Sequence, residues 1–165
     1  MPDLVRLGQL LPELRVLTAT DAPTSIKAHL GSQVTLLNFL HGTWCPDCVS
    51  QLYRLQRHRP EIAAAGAEII VVTRDRPEVL AAFLLSARPS LKYTVLVDPD
   101  GQAHRRIGAG GHTLALVLDR RRTVRWIIHW SDHHDQSAYQ AILCILQEVR
   151  RPRLRRRKPE AKWEA

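Results

Sequence analysis

The sequence predicts an α/β domain: a mostly parallel central sheet finished by a C-terminal antiparallel hairpin, with helices on both faces. Three observations lead there. Short apolar runs of strand type alternate with helical patterns between residues 34 and 107. Two further strand-like runs are separated only by Asp119-Arg120-Arg121-Arg122, too short a link for a parallel crossover. An apolar-periodic segment, Gln136 to Val149, closes the pattern. At 165 residues and 45% hydrophobic content the chain suffices for one core and is short for two.

An N-terminal arm with a short strand at Leu14 to Thr20 comes first. Val34-Thr35-Leu36-Leu37-Asn38-Phe39-Leu40 is apolar on both faces, the pattern of a central buried strand. From Pro46 the period changes: proline suits a first helical turn, Val49, Leu52 and Leu55 recur at threes, and Gly66 closes the helix. Glu68 to Thr73 is a second buried strand and Pro77 to Ala87 a second helix. Tyr93 to Val97 is a third strand, ended by the turn signal Asp98-Pro99-Asp100-Gly101, with a short helix at Gln102 to Ile107. Thr113 to Leu118 and Thr123 to Trp130 form the hairpin. In the latter, Trp126, Ile128 and Trp130 alternate with Ile127 and His129, which reads as core patterning.

The domain is expected over residues 1–149, with a basic tail over 150–165. The net charge of +8 is unevenly spread: the tail carries eight Lys or Arg and two Glu, leaving about +2 for the rest. Such a like-charge block, broken by prolines, stays solvated, and its one predicted interaction is a weak, salt-sensitive contact with nucleic acid or anionic lipid. No apolar run is long enough to span a membrane, and the acids and Pro2 within Met1 to Leu17 do not suit a signal peptide. A cytoplasmic setting is the expectation. Three cysteines cannot build a disulfide scaffold; Cys144, within an apolar helical stretch, reads as a small buried hydrophobe.

Cys45-Pro46-Asp47-Cys48 is the chemical motif. Thiol exchange needs one accessible sulfur held as thiolate and a second within reach to close a disulfide. A C-x-x-C at a helix start supplies both, because the helix N-terminus favours negative charge on the first sulfur while the second lies a turn further in. Cys45 is therefore the expected nucleophile and Cys48 the resolving thiol.

Phe39-Leu40-His41-Gly42-Thr43-Trp44-Cys45-Pro46-Asp47-Cys48 resembles the active-site segment of the thioredoxin-like superfamily, and within it the alkyl hydroperoxide reductase/thiol-specific antioxidant group of peroxiredoxin-like proteins. Leu96-Val97-Asp98-Pro99-Asp100-Gly101 and Leu116-Val117-Leu118-Asp119 resemble later segments of that group, so the likeness runs from about residue 14 to 148. It implies a thioredoxin-like fold, a disulfide or peroxide substrate, an external thiol reductant of thioredoxin or glutathione type, and no cofactor. Thr43, Trp44, Pro46, Asp47, His112 and Thr113 fall in the implied active-site environment. Two departures stand out. Thr113 occupies the place of the family's cis-proline, which opens the sulfurs to other approaches, including metal or cluster binding. Asn38 falls near the place of a thioredoxin's buried acid and cannot relay a proton.

Neither cysteine fits the P-x-x-x-T-x-x-C pattern of typical peroxiredoxins. Disulfide exchange therefore ranks above peroxide reduction, in which Cys45 would be peroxidatic and Cys48 resolving, with Thr43, Arg74, Arg105 or Arg106 as helpers. A non-enzymatic metal- or cluster-binding module is the third reading, although no second C-x-x-C completes a tetrahedral site. His41 and His112 are candidates to stabilise the thiolate and otherwise structural. Asp132-His133-His134-Asp135, with His129, has ligand-type residues but suits a polar loop capping the last helix better, so no metal ligand is assigned.

Overall fold

The computed structural model describes residues 4–130 and 136–152. Strands β1 (Arg15–Leu17) and β2 (Pro23–Ser25) are followed by a 3-10 turn, Ile26–His29. Then come β3 (Val34–Phe39), α1 (Pro46–Ala64), β4 (Ala67–Thr73), α2 (Pro77–Ser86), β5 (Thr94–Val97), α3 (Gln102–Ile107), β6 (Leu114–Leu118), β7 (Val124–His129) and α4 (Gln136–Arg150). Asp132 to Asp135 and the tail from Arg153 lie outside the described residues.

One sheet runs in the order β2-β1-β5-β4-β3-β6-β7. The expected C-terminal hairpin is present, β6 against β7. The expectation of a mostly parallel sheet is overturned: only β3/β4 and β4/β5 pair in parallel, whereas β1/β2, β1/β5, β3/β6 and β6/β7 are antiparallel. The short helix α3 explains the reversal at β6. Its six residues advance about 9 Å, less than half the roughly 20 Å needed to travel back along a strand such as β3. The chain therefore re-enters the sheet at the end where β5 left it, Leu114 pairing with Phe39, the last residue of β3. At the other flank, the tight β1–β2 turn adds two antiparallel pairings beside β5.

Alternate residues of β3 feed two cores. Leu36, with Leu40 beyond the strand, packs with Leu52 and Leu55 of α1, Leu80 of α2 and Leu146 of α4. Leu37 and Phe39 pack on the opposite face with Leu11, Ile26, Ala103 and Ile107. The three long helices thus share one face, and α3, the N-terminal arm and the 3-10 turn cover the other. Fully burying a Leu or Phe contributes about 1.5–3 kcal/mol, so these two layers fix β3, and with it the segment that follows.

Two side chains depart from expectation. Cys144 is exposed: α4 buries Ile142, Leu146 and Val149, and a residue two past Ile142 points to the opposite side of a 3.6-residue turn. Trp126 is 43% exposed, while Ile128 and Trp130 are buried as the alternation predicts. β7 is the outermost strand, and a register shift at Val117/Leu118 interrupts its alternation. Among the described residues, no helix is long and apolar enough to cross a membrane.

Candidate active site

The parallel ladder carries β3 to the site. Beyond the strand, Leu40 N–H donates to the Val72 carbonyl (3.0 Å), and Arg74 N–H donates to the His41 carbonyl (3.0 Å). The chain then turns at Gly42, where a Cβ would lie 2.5 Å from Trp44 Nε1 and 3.0 Å from Asp75 Oδ1. Only glycine lets the indole close over the backbone here. Cys45 N–H reaches back to the Gly42 carbonyl (3.2 Å), and Val49 N–H donates to the Cys45 carbonyl (3.0 Å), which starts α1. Cys45 is the extended N-cap residue and makes no side-chain cap bond; Pro46 is the first helical residue and Asp47 lies in the first turn. Strand, glycine turn and proline-opened helix thus place the first sulfur at the helix start, as the sequence predicts.

Two buried aspartates hold this segment, and neither was singled out in the sequence as a site residue. The Asp75 carboxylate accepts from Thr43 N–H (2.9 and 3.1 Å) and from the Thr43 hydroxyl (3.0 Å). The Thr43 hydroxyl is therefore committed to Asp75. Asp98 acts through His104, a fully buried ring. Nδ1 lies 2.7 Å from Asp98 Oδ2 and Nε2 lies 2.9 Å from the Leu40 carbonyl. The ring thus bridges the Asp98 carboxyl group and the Leu40 carbonyl. Burial alone would raise the Asp98 carboxyl. Hydrogen bonds from the His104 ring and N–H, the ring's charge and the Ala103 N–H together hold it below its ordinary value.

The two sulfurs are unequal. Cys45 is half-buried, whereas Cys48 is only 2% exposed. Burial pushes the Cys48 thiol up to about 11; backbone hydrogen bonds with Gly42 and His41 oppose the rise and the neighbouring Cys45 adds to it. His41 joins the pair: an imidazole nitrogen and the two sulfurs all lie within 4.8 Å of one another. Among the described residues this is the group with donor atoms suited to a metal ion. The His41 ring stacks on Trp44 (centroids 6.1 Å apart, planes 7° apart). Burial, then the charges of His104, Arg74 and His112, push its pKa below the ordinary histidine value.

A cleft of about 400 Å³ opens on the sulfurs, lined by Cys45, Cys48, His41, His112, Thr113 and Trp130, with Asp47 at its margin. Of the sequence candidates, Cys45, Cys48, Asp47, His112 and Thr113 therefore meet in one cleft. Thr113 immediately precedes β6, and its carbonyl accepts from Trp130 N–H (3.2 Å). Trp44 is 71% exposed and lines a neighbouring recess of about 390 Å³ with His41, Arg74 and Pro99. Arg106 instead donates to the Glu13 carbonyl and Arg105 to the Asp100 carbonyl. Asn38 is buried in β3, and its amide group donates to the Leu36 and Ile70 carbonyls (3.0 and 3.2 Å).

Comparison with known proteins agrees with this geometry. A candidate peroxiredoxin, bcp, of Haemophilus influenzae is 27% identical over 143 residues, covering 78% of this chain and 90% of that protein. The fold matches the crystal structure of peroxidoxin BcpB from Mycobacterium tuberculosis with a TM-score of 0.75 at 19% identity, over 89% of this chain and 99% of that one. It also matches a candidate thiol:disulfide interchange protein DsbE from Chlorobium tepidum, with a TM-score of 0.67 at 24% identity, over 86% and 99% of the two chains. Residues 7–127 match the AhpC/TSA family. That match spans most of the chain and includes the whole cysteine motif, so the chain belongs to the AhpC/TSA family and is a thiol-based redox protein of the peroxiredoxin and thioredoxin-like type.

Proposed function

We propose that the protein is a dithiol oxidoreductase in which Cys45 attacks a disulfide substrate and Cys48 resolves the mixed disulfide. The observation that carries this is the unequal exposure of two sulfurs in one cleft: Cys45 is half-buried and the more accessible, whereas Cys48 is only 2% exposed. In the first step, the Cys45 thiolate bonds to one substrate sulfur as the substrate S–S bond breaks, and the other sulfur leaves as a thiolate. Cys48 then attacks Cys45 Sγ, its proton passing to the departing substrate sulfur, which closes the Cys45–Cys48 disulfide and releases the second substrate half as a thiol. An external thiol reductant restores the pair. Thr113 and His112 border the route to the sulfurs, which makes them the positions that select the substrate.

Peroxide reduction is the second reading, favoured by the naming of the Haemophilus relative as a candidate peroxiredoxin. There the Cys45 thiolate attacks a peroxide oxygen, and the O–O bond breaks with the other oxygen leaving as water or an alcohol. The resulting sulfenic acid condenses with the Cys48 thiol, losing water. Arg74 lines the recess beside His41 and Trp44, where it is available to polarise the peroxide. The cysteine usage supports a reducing, cytoplasmic setting for either reaction.

Mass-spectrometric thiol mapping, before and after one equivalent of peroxide or of oxidised glutathione, tests both. The proposal expects a reversible Cys45–Cys48 disulfide, a trapped mixed disulfide on Cys45 in Cys48→Ser, and no reaction at Cys48 in Cys45→Ser. Faster oxidation by the disulfide supports exchange, and faster oxidation by peroxide the second reading. Two inert thiols overturn the assignment.

A further inference from the structure

The sequence has one C-x-x-C and no second pair to complete a metal site; the fold supplies another donor. His41 lies four residues before Cys45 and beyond the end of β3. The glycine turn brings it back over the start of α1, with an imidazole nitrogen and both sulfurs mutually within 4.8 Å. We propose that the reduced protein binds one thiophilic divalent cation, such as Zn²⁺, through Cys45 Sγ, Cys48 Sγ and a nitrogen of His41, leaving a fourth position open to the cleft.

Donor chemistry selects the class of ion. Two thiolates and an imidazole suit Zn²⁺ or Co²⁺, while Mg²⁺ and Ca²⁺ require oxygen ligands. The geometry is close to what such an ion needs: with bonds of about 2.1–2.3 Å, the edges of a tetrahedral site are roughly 3.5–3.8 Å. Side-chain rotation of about 1 Å closes the gap from 4.8 Å. All three donors line the same cleft of about 400 Å³, which gives the ion an entry path and leaves room for a water or an external thiolate as fourth ligand. The surroundings also orient the ligands. The His41 ring is braced by its stack on Trp44, its backbone carbonyl is held by Arg74 N–H, and the intervening turn is clamped by Asp75 through Thr43. Outer contacts of this kind stiffen metal sites. No cis-peptide bond occurs at Thr113, and that residue borders the cleft rather than sealing it.

The same sulfurs serve both chemistries, so cation and disulfide exclude each other; this linkage, though not the binding itself, rests on the redox assignment above. When a peroxide oxidises the loaded site, the two thiolates supply two electrons and form the Cys45–Cys48 bond. The peroxide takes up those electrons and two protons and leaves as alcohol and water, and the cation is released. Conversely, the bound cation occupies the electron pairs with which Cys45 attacks, holding the pair reduced and unreactive until the ion is withdrawn.

Titration of the reduced, chelator-treated full chain with Co²⁺ tests the site. The expected result is one ion per chain, with a thiolate-to-cobalt charge-transfer band and the visible bands of tetrahedral cobalt, both bleached by Zn²⁺. Cys45→Ser and Cys48→Ser each weaken or remove the charge-transfer band, and Cys144→Ser, on the exposed side of α4, leaves it intact. His41→Ala and His41→Gln, checked by circular dichroism for folding, weaken binding by more than the roughly 10- to 100-fold that loss of an outer contact causes. The preoxidised chain gives no charge-transfer band. The proposal is overturned by one ion per two chains, by cobalt bound without a charge-transfer band, or by folded His41 variants of unchanged affinity. Thiol mapping of the same samples separates the two ideas: a pair that oxidises but binds no cobalt removes the cation site alone, whereas a pair that binds cobalt but does not oxidise removes the redox assignment alone.

Discussion

Asp75 and Asp98 follow the C-terminal ends of neighbouring parallel strands, both almost fully buried, yet they hold the cysteine segment by different means. Asp75 bonds directly to Thr43, two residues before Cys45. Asp98 bonds to His104, which bonds to the Leu40 carbonyl and so ties α3 and β5 to the end of β3. A direct clamp on a turn sets local geometry, whereas a buried relay between three elements bears on the whole fold. Asp98 is thus expected to govern stability and Asp75 the alignment of Cys45.

The largest effect is expected from His104→Ala, which leaves the Asp98 carboxylate buried without its partner and the Leu40 carbonyl without its donor. Breaking a buried pair of this kind costs about 3–5 kcal/mol, read from urea unfolding of the reduced protein; a loss below about 1 kcal/mol would mean the relay is not a stability element. Asp75→Ala removes three hydrogen bonds to one carboxylate and should cost less, about 1.5–3 kcal/mol. Its signature is kinetic: with the turn released, mixed-disulfide formation on Cys45 slows by about tenfold or more, and a rate equal to the parent's breaks the contrast.

Smaller again is the acid response of the relay. The folded Asp98 carboxyl titrates below its unfolded value, so its contribution is complete above about pH 4–5 and is lost as pH falls through the lower, folded value. His104→Gln should flatten this acid limb of the stability curve, and an unchanged limb would assign acid sensitivity elsewhere. The smallest effect belongs to Thr43→Val, which deletes only the hydroxyl bond to Asp75 and keeps the backbone N–H bonds. A cost of about 0.5–1.5 kcal/mol is expected, and a larger one would place more of the clamp in the hydroxyl than in the backbone.

What could be read from the chain beforehand follows a physical line. β3, β4 and α1 were legible because local period and composition determine them: Val34 to Phe39 is apolar throughout, and Pro46 opens the helix. Strand direction is a property of connections. The six-residue α3 was placed correctly at Gln102–Ile107, but its failure to carry the chain back along the sheet becomes evident only beside the neighbouring strands. Cys45 and Cys48 were legible from spacing, and Thr113 only through the family resemblance, which put it in the place of the cis-proline. Cys144 was misplaced because an apolar stretch alone does not reveal which side of α4 faces the sheet. Asp75 and His104 carry weaker signals, an acid just past a buried strand and a single histidine in a short helix. Their partners, Thr43 and Leu40, are 32 and 64 residues away in sequence.

Trp44 gives the molecule an optical property of its own. Its indole is 71% exposed, lies nearly parallel to His41 and immediately precedes Cys45 in the chain. Sulfur oxidation, a positive charge on the imidazole and a metal ligated by it each alter the pathways by which an excited indole loses energy. Emission from Trp44, isolated by replacing the other three tryptophans with phenylalanine, should therefore report the chemical state of the site continuously, without an added dye.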